Sequence, residues 1–462
     1  MKRHYVFSFF LLGLISIGCS KVPPADDSLV SCIVENRVDS QVEWRQGCCQ
    51  DDQIDATIQC MIKTELTADN AIQIALLNNP KIQAFFEELG IAQADLVDAG
   101  LLSNPTFELE VRYPHIKGLH TNIEYLITSS LLDIFLIPLR TRLAATEFEQ
   151  TKLEVSNKIL DLAFEVRETY YELVAERKKI KYIQSVVELT SINSDIVSQQ
   201  NIIGNVNTLE FQLSQSKFLE AELELAQSEA EIIRLSEKLN RLLGFTEDVC
   251  LILPETLPQI DNQDFDLCAL ETLALENRLD LQVAHFEIAR FSQMLGLKDW
   301  WTYTNLRGGL AGERDPDKAN LIGLGASGEL PIFNYGQAAR MRLFSQLRMA
   351  QDHLEELEIQ VLSEVREAYK LLMSYLRIIN DYQNRLLPMQ AKISASSEEL
   401  YNVMGLGVEG LIENKRQQVV ASQNYTESVK KYLMATVKLD RALGGYLFLL
   451  LAQRECIQGV SE

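Results

Sequence analysis

Apolar residues recur every seven positions from Ile159, through Val166, Leu173, Ile180 and Val187. Val365, Leu372, Ile379 and Leu386 repeat the pattern further along. A sustained seven-residue period predicts long helices supercoiling left-handedly against neighbours. No glycine or proline interrupts Leu139 to Ile203, and at ~1.5 Å per residue such a helix reaches roughly 100 Å. The turn "GNVN", Gly204–Asn207, stops it and starts a return helix ending near Leu243. A second outward helix is predicted over roughly 337–403, with a bend near Pro388. It turns at "GLGVEG", Gly405–Gly410, and returns to about Leu443. Glycine at Gly204 and Gly405 is expected to supply the positive φ of a tight helix stop. Hairpins this long bury little surface of their own and need lateral partners.

Between short and long helices the period drops to two. "TFELEVRY" places Phe107, Leu109, Val111 and Tyr113 opposite Glu108, Glu110 and Arg112. "NIEYLITSSL" sets Ile123, Tyr125, Ile127 and Leu131 against Glu124 and Thr128. "NLIGLGASGEL" sets Ile322, Leu324, Ala326 and Leu330 against Gly323, Gly325, Ser327 and Glu329, while "TYTNLRGGLAG" at 302–312 is less regular. A half-buried soluble sheet alternates in the same way. Strands of about ten residues also match the thickness of a bilayer core. Four cannot close a barrel; three chains would supply twelve, enough for a water-filled lumen, with the apolar side facing lipid.

The chain also repeats itself. "EVRETY" at Glu165–Tyr170 returns as "EVREAY" at Glu364–Tyr369, and "KLNRLLG" at 238–244 as "KLDRALG" at 438–444. "ALLNNPKIQAFFEELG" at 75–90 faces "ALENRLDLQVAHFEIA" at 274–289. A period near 200 residues is duplication of a whole unit rather than a solenoid. Arg167, Glu168 and Tyr170, beside the heptad seam, read as ordinary flanking and solvent positions.

The chain has 462 residues and a formal net charge of −22. An acidic surface without Lys/Arg clusters argues against nucleic acid as a partner. Solvated helix faces and a cation-attracting lining both account for the acids. Lys2, Arg3 and His4 precede the apolar run "YVFSFFLLGLISI" and then "GCS". That run reads as an export signal, too short for a spanning helix with polar flanks. It is similar to a bacterial lipoprotein signal, with Cys19 as the lipid-bearing N-terminus after cleavage. Ser16 stands where Leu, Val or Ile is usual, and plain secretion is the alternative. No later stretch has 18 consecutive apolar residues, which leaves a barrel open. Of the remaining cysteines, Cys250 and Cys268 are placed for a bridge across a linker in an oxidising compartment. His115 and His120 share a loop between strands, where a surface position outweighs a metal reading. Trp300, Trp301 and Tyr303 precede a strand and suit either a membrane interface or packing against helices. Phosphate-loop, zinc-protease and nucleophile-elbow motifs are absent, so neither an enzyme nor a cofactor or metal is expected.

Taken together, these segments resemble the TolC-type outer-membrane efflux proteins. "LTADNAIQIALLNNPKIQAFFEELGIAQADLVDAGLLSNPTFELEV" at 66–111 looks like their entry segment, and "ELPIFNYGQ" at 329–337 like their strand-to-helix junction. "GNVNTLEFQLSQ" at 204–215 and "GLGVEGLIENKRQ" at 405–417 resemble their hairpin tips. The resemblance covers roughly 65–450. It implies a mainly α fold with a membrane β-barrel. Long hairpins would form a periplasmic α-barrel, and four strands per protomer a twelve-stranded trimeric barrel, with an internal two-fold repeat.

The implied organisation is a signal peptide at 1–18 and a lipid-anchored extension at 19–65. A first repeat follows at 66–250, with a strand pair about 105–133 and a hairpin about 139–245. An equatorial linker at 251–264 leads to a second repeat at 265–450, with a strand pair about 302–332 and a hairpin about 337–445. A tail occupies 451–462. The implied function is a passive outer-membrane exit channel of a tripartite efflux system. Its partners would be a periplasmic adaptor and an inner-membrane pump of resistance–nodulation–division type. Two alternatives stand beside it: a periplasmic coiled-coil scaffold or adaptor, and the exit duct of a type I protein secretion system. Within the resemblance, Glu413, with Glu409 one turn earlier, best matches the acids that close the periplasmic aperture; an exposed glutamate facing adaptor or water is the other reading. Gly204, Asn205, Gly405 and Gly407 mark the turns where an adaptor docks, and Phe107, Leu109, Val111 and Tyr113 the lipid face.

Overall fold

The computed structural model describes residues 26–45, 49–115, 120–130, 133–247, 249–258, 260, 265–301, 306–317, 319–328 and 332–447. The signal at 1–18, Cys19 and the tail at 451–462 lie outside the described residues. The chain divides into two units, one built from 86–155 and 282–355, the other from 28–85, 156–281 and 356–447.

The first unit holds α4 (Pro80–Ala99) from Phe86 onward and α8 (Leu279–Trp301) from Gln282 onward. Between them in sequence lie strands β1 (Thr106–Arg112) and β2 (Asn122–Ser130), and later β3 (Arg307–Arg314) and β4 (Asn320–Ser327). They form one antiparallel sheet in the order β1-β2-β3-β4. Among the described residues the sheet therefore has two unpaired edges, β1 and β4.

The long helix α5 (Asp133–Ile202) has 70 residues, about 105 Å at 1.5 Å per residue. It starts at Asp133, ahead of the predicted Leu139, and takes Pro138 within its first two turns. Asp133 accepts a hydrogen bond from the Ser103 hydroxyl. The return helix α6 (Thr208–Leu242) is capped by Asn207, whose side chain accepts from the Glu210 N–H at 2.9 Å.

The second outward helix is interrupted. α9 (Gln337–Asp381) passes through a π-turn at Tyr382–Leu386 into α10 (Leu387–Asn402), and α11 (Val408–Ala442) returns. The break precedes Pro388 and is a π-turn rather than a simple proline bend. Proline lacks an N–H and clashes with the carbonyl four residues back; widening the preceding turn accommodates both.

In the second unit the N-terminal segment straps the short helices together. Here α1 (Ser28–Val38) precedes an extended stretch, then α2 (Cys49–Ile62), α3 (Ala68–Asn78) and, after the first long hairpin, α7 (Leu267–Asn277). Gln73 donates to the Gln41 carbonyl and accepts from its N–H, both at 2.9 Å. Gln83 does the same across Glu43 and Arg45. Core residues of this unit include Val34, Leu66, Ile72, Ile74, Leu76, Ile159, Val166, Leu173, Leu239 and Leu443.

The heptad seam holds in part. Ile159, Val166 and Leu173 are buried, but Ile180 and Val187 are only half-buried. Beyond Leu173 the covered stripe passes to Glu176, Ile183, Val186, Thr190, Ser194 and Val197. The row Leu162, Thr169, Glu176, Ile183, Thr190 and Val197, spaced by seven, stays buried throughout, so the seam keeps the heptad period and past Leu173 rests on the second of its two core rows. Arg167 and Tyr170 are 3% and 4% exposed. They are core residues, not the solvent positions that their charge and hydroxyl implied.

Candidate functional site

The sheet register gathers most apolar positions of the four strands on one face, with Leu126 and Leu321 on the other. Phe107 pairs with Ile127, Leu109 with Tyr125 and Val111 with Ile123. Across the next seams, Ile127 meets Leu310 and Tyr125 meets Gly312, then Leu310 meets Leu324 and Gly312 meets Ile322. Phe107, Leu109, Tyr113, Leu310, Ile322 and Leu324 are each more than half exposed, Leu324 at 90%. A soluble sheet buries such a face; this one presents it outward. The other face carries Glu108, Glu110, Arg112, Glu124 and Glu313. Arg112 bridges Glu110 at 2.8 Å and Glu124 at 2.9 Å. The Tyr125 ring lies over Gly312, where an added Cβ would come within 2.1 Å of it. His115 lies between β1 and β2, and the His120 N–H donates to the Pro316 carbonyl of the β3–β4 loop at 3.1 Å. Among the described residues no group of acids, cysteines and histidines is arranged to hold a metal. The side chains of Trp300 and Trp301, and all of Tyr303, lie outside the described residues.

All four long-helix ends close by the same pair of bonds. At the first tip the Asn205 N–H reaches the Gln200 carbonyl and the Gly204 N–H reaches Asn201. This is a Schellman motif, with Gly204 left-handed at φ +79°. Gly244 and Gly444 take the same position, at φ +80° and +72°. At the second tip Gly405 donates to Leu400 and Met404 to Tyr401, and the left-handed residue is Met404, at φ +59°. The expectation that Gly405 supplies the positive φ is corrected. The long-helix ends align at an offset of 200, which sets Met404 against Gly204 and places Gly405 one position further on. The same offset sets Gly407 against Asn207. Gly407 stands at the N-cap of α11 with no side-chain bond, so the second tip lacks both devices of the first.

Glu413 and Glu409 line one cavity of about 340 Å³ with Thr190, Asn193, Lys217 and Arg416. Arg416 donates to both carboxylate oxygens of Glu413, at 2.8 and 3.0 Å, and Gln417 adds a third bond. Those hydrogen bonds, Arg416 first, hold the Glu413 carboxyl below the usual carboxylate range. Glu413 is thus an ionised group with its countercharge on its own helix. Any ring of Glu413 brings an equal number of Arg416 guanidinium groups with it.

Several buried and half-buried polar contacts are not legible in the sequence. Asp440, fully buried, pairs with Arg167 at 3.2 Å and accepts from the Leu447 N–H at 3.0 Å. Burial pushes its carboxyl up to about 6. Arg37 donates to the Gly444 and Asn277 carbonyls, both at 2.9 Å. Asn78 and Asn79 provide the matching donors to Leu243 and Leu242 at the end of α6. A larger cavity, about 500 Å³, is lined by the ion pairs Asp161–Arg441 and Arg278–Asp280–Glu364. Cys32, Cys60, Cys250 and Cys268 are free and exposed; the Cys250–Cys268 bridge is not formed.

This architecture is the fold of outer-membrane channel proteins. The chain superposes on the Campylobacter jejuni CmeC outer membrane channel with a TM-score of 0.68, covering 82% of this chain and 85% of that one at 14% identity. It matches the outer-membrane channel OprN at 0.67, covering 92% and 98% at 15% identity. For the Neisseria gonorrhoeae MtrE outer membrane channel in its open state the TM-score is 0.56, covering 82% and 89% at 15% identity. No protein-family model matches the sequence, and no curated protein matches it.

Proposed function

We propose that this chain is the outer-membrane exit channel of a tripartite efflux system, a passive duct with no catalytic step. The observation that carries the reading is the four-stranded sheet. One face carries exposed apolar side chains on every strand, the other carries glutamates on β1, β2 and β3, and among the described residues both edges are unpaired. Unsatisfied backbone is costly in lipid, so a spanning sheet must close. Three copies joined β4 to β1 supply twelve strands with apolar residues toward lipid and glutamates toward water.

In this reading the two hairpins of each chain are equivalent staves of a periplasmic α-barrel. The repeat 66–250 and 265–450 supports it, because Tyr170 and Tyr369 make the same contact in each half. The segment 251–264 contributes to a belt around the tunnel. The tips at Gly204–Asn205 and Met404–Gly407 dock the periplasmic adaptor, which links the channel to a resistance–nodulation–division pump. Glu409 and Glu413 stand at the aperture, with Arg416 limiting their mutual repulsion. Cleavage of residues 1–18 leaves Cys19 to carry lipid in the outer membrane of a Gram-negative cell.

Expression with the native signal tests this reading. A heat-modifiable trimer resistant to dodecyl sulfate in the outer-membrane fraction, forming conducting pores in planar bilayers, is expected. A soluble monomer after signal removal overturns it in favour of a periplasmic scaffold.

A further inference from the structure

Where the strands meet the start of α5, a cavity of about 240 Å³ is lined by Ser103, Thr106, Thr128, Ser130, Arg140 and Arg307. The register brings the strand residues together. Thr106 pairs with Thr128, and Ser130 with Arg307. Alternation along each strand then sets all four on the face that carries Glu108 and Glu124. Arg140 stands about two turns after Asp133 on α5, and so shares its side of the helix.

Arg140 is the unusual member. Its Nε and Nη2 are buried, and among the described residues neither has a hydrogen-bond partner. These two atoms form one edge of the guanidinium, the edge that grips an oxyanion through two parallel N–H···O bonds. Among the described residues no other arginine leaves both atoms of that edge buried and unbonded. A buried donor without an acceptor is costly, more so when it is charged. Asp133, which also lines the cavity, does not supply the acceptor. Its Oδ1 stands 3.8 Å from Nη2, beyond hydrogen-bond range, and its Oδ2 accepts from the Ser103 hydroxyl. Arg307 is exposed and has no carboxylate partner among the described residues. Two guanidinium groups against one carboxylate make this a positive spot in a chain of net charge −22.

We propose that the cavity binds a phosphate-type oxyanion, held side-on by Arg140 and met by Arg307, with the threonine and serine hydroxyls as further polar contacts. A phosphate group can come from a solute in water or from a lipid headgroup. The water side is the source here, because Thr106, Thr128, Ser130 and Arg307 lie opposite the exposed apolar face of Phe107, Leu109 and Ile127. Within the channel proposed above, that face lines the lumen; the cavity itself is complete in one chain.

Titration calorimetry of the full chain in detergent with inorganic phosphate, at an ionic strength fixed by chloride, tests the site. Saturable binding of one phosphate per chain, displaced by sulfate, is the expected result. Arg140→Lys keeps the charge and removes the fork, and should weaken binding about tenfold. Arg307→Gln, a change at an exposed position, should weaken it about two- to fivefold. Circular dichroism checks that both variants fold. No saturable binding, or the native affinity in both variants, overturns the site. Native affinity in Arg140→Lys alone overturns the side-on grip. Binding of phosphatidylglycerol in mixed micelles with none of inorganic phosphate overturns the water-side source. Light scattering separates this inference from the channel reading. A monomer that binds phosphate keeps the site and removes the channel, whereas an oligomer that does not bind removes the site alone.

Discussion

The hydroxyl of Tyr170 donates to the backbone carbonyl of Leu66 at 2.8 Å, across 104 positions of sequence. Tyr369 makes the same bond to Phe265, at 2.9 Å and the same separation. Each tyrosine anchors the residue that leads into a short helix, α3 or α7, against its long outward helix. The recurrence of "EVRETY" as "EVREAY" therefore preserves a specific side-chain-to-backbone bond. Tyr170 is buried, and burial raises its hydroxyl well above the ordinary range, so it stays a neutral donor. Replacing Tyr170 with Phe leaves the Leu66 carbonyl without this donor. A loss of about 1–3 kcal/mol is expected in denaturant unfolding. Tyr369→Phe should cost less, because that site is only partly buried.

Asp440 gives a pH signature. Its folded-state value of about 6 lies above the ordinary 3.8, so the folded chain holds this proton more tightly than the unfolded one. The contribution favouring the fold is complete below about pH 4 and is lost as pH rises through about 6. A shift of this size corresponds to about 3 kcal/mol. Asp440→Asn removes the titration. Stability measured from pH 4 to 7 should then lose the downward component that the native chain shows relative to the variant. Parallel profiles would show that Asp440 is not the group responsible.

The four helix stops predict opposite signs for small changes. Met404→Gly should stabilise the second tip by about 1 kcal/mol, because glycine takes the left-handed conformation without steric cost. Gly204→Ala should cost about 1–2 kcal/mol, since a Cβ there meets nothing within 4 Å and only the backbone conformation is penalised. Gly244→Ala should cost more, because its Cβ would stand 2.6 Å from the Asn78 carbonyl oxygen. Differential scanning calorimetry of the three variants gives the ranking directly.

Charge on the sheet should be tolerated on one side only. Leu109→Arg puts a guanidinium on the apolar face, where a cost of about 2–4 kcal/mol at mid-bilayer is expected. Glu108→Arg, one residue away, points to the opposite face. Folding into lipid vesicles, read from heat-modifiable mobility, should fail or slow for the first and proceed for the second.

Arg37 should matter to one half of the chain. Arg37→Ala removes both donors to Gly444 and Asn277. Hydrogen exchange is expected to rise at the end of α11 and around α7. The end of α6, where Asn78 and Asn79 supply the donors, should keep its protection.

Some of this protein is written in local order along the chain. Strand alternation is a property of successive residues. The register therefore assembled the predicted Phe107–Leu109–Val111 side into a continuous apolar face. The turn at Gly204–Asn207 and the long uninterrupted helix are equally local, because breakers and caps act on their own neighbours. Other features depend on what meets what. Arg167 and Tyr170 look like surface residues until α11 and the segment at Leu66 close over them. Met404, not Gly405, took the left-handed position because the helix ends align at an offset of 200, one residue away from the glycine. The π-turn answers Pro388 locally, but which side of the helix is covered beyond it depends on what packs there. A strict heptad predicts Leu386 inside; the inserted residue turned it outward and brought Ser394 and Ser397 in. Periodicity fixes which residues share a helix face. Only the packed structure decides which neighbour that face meets.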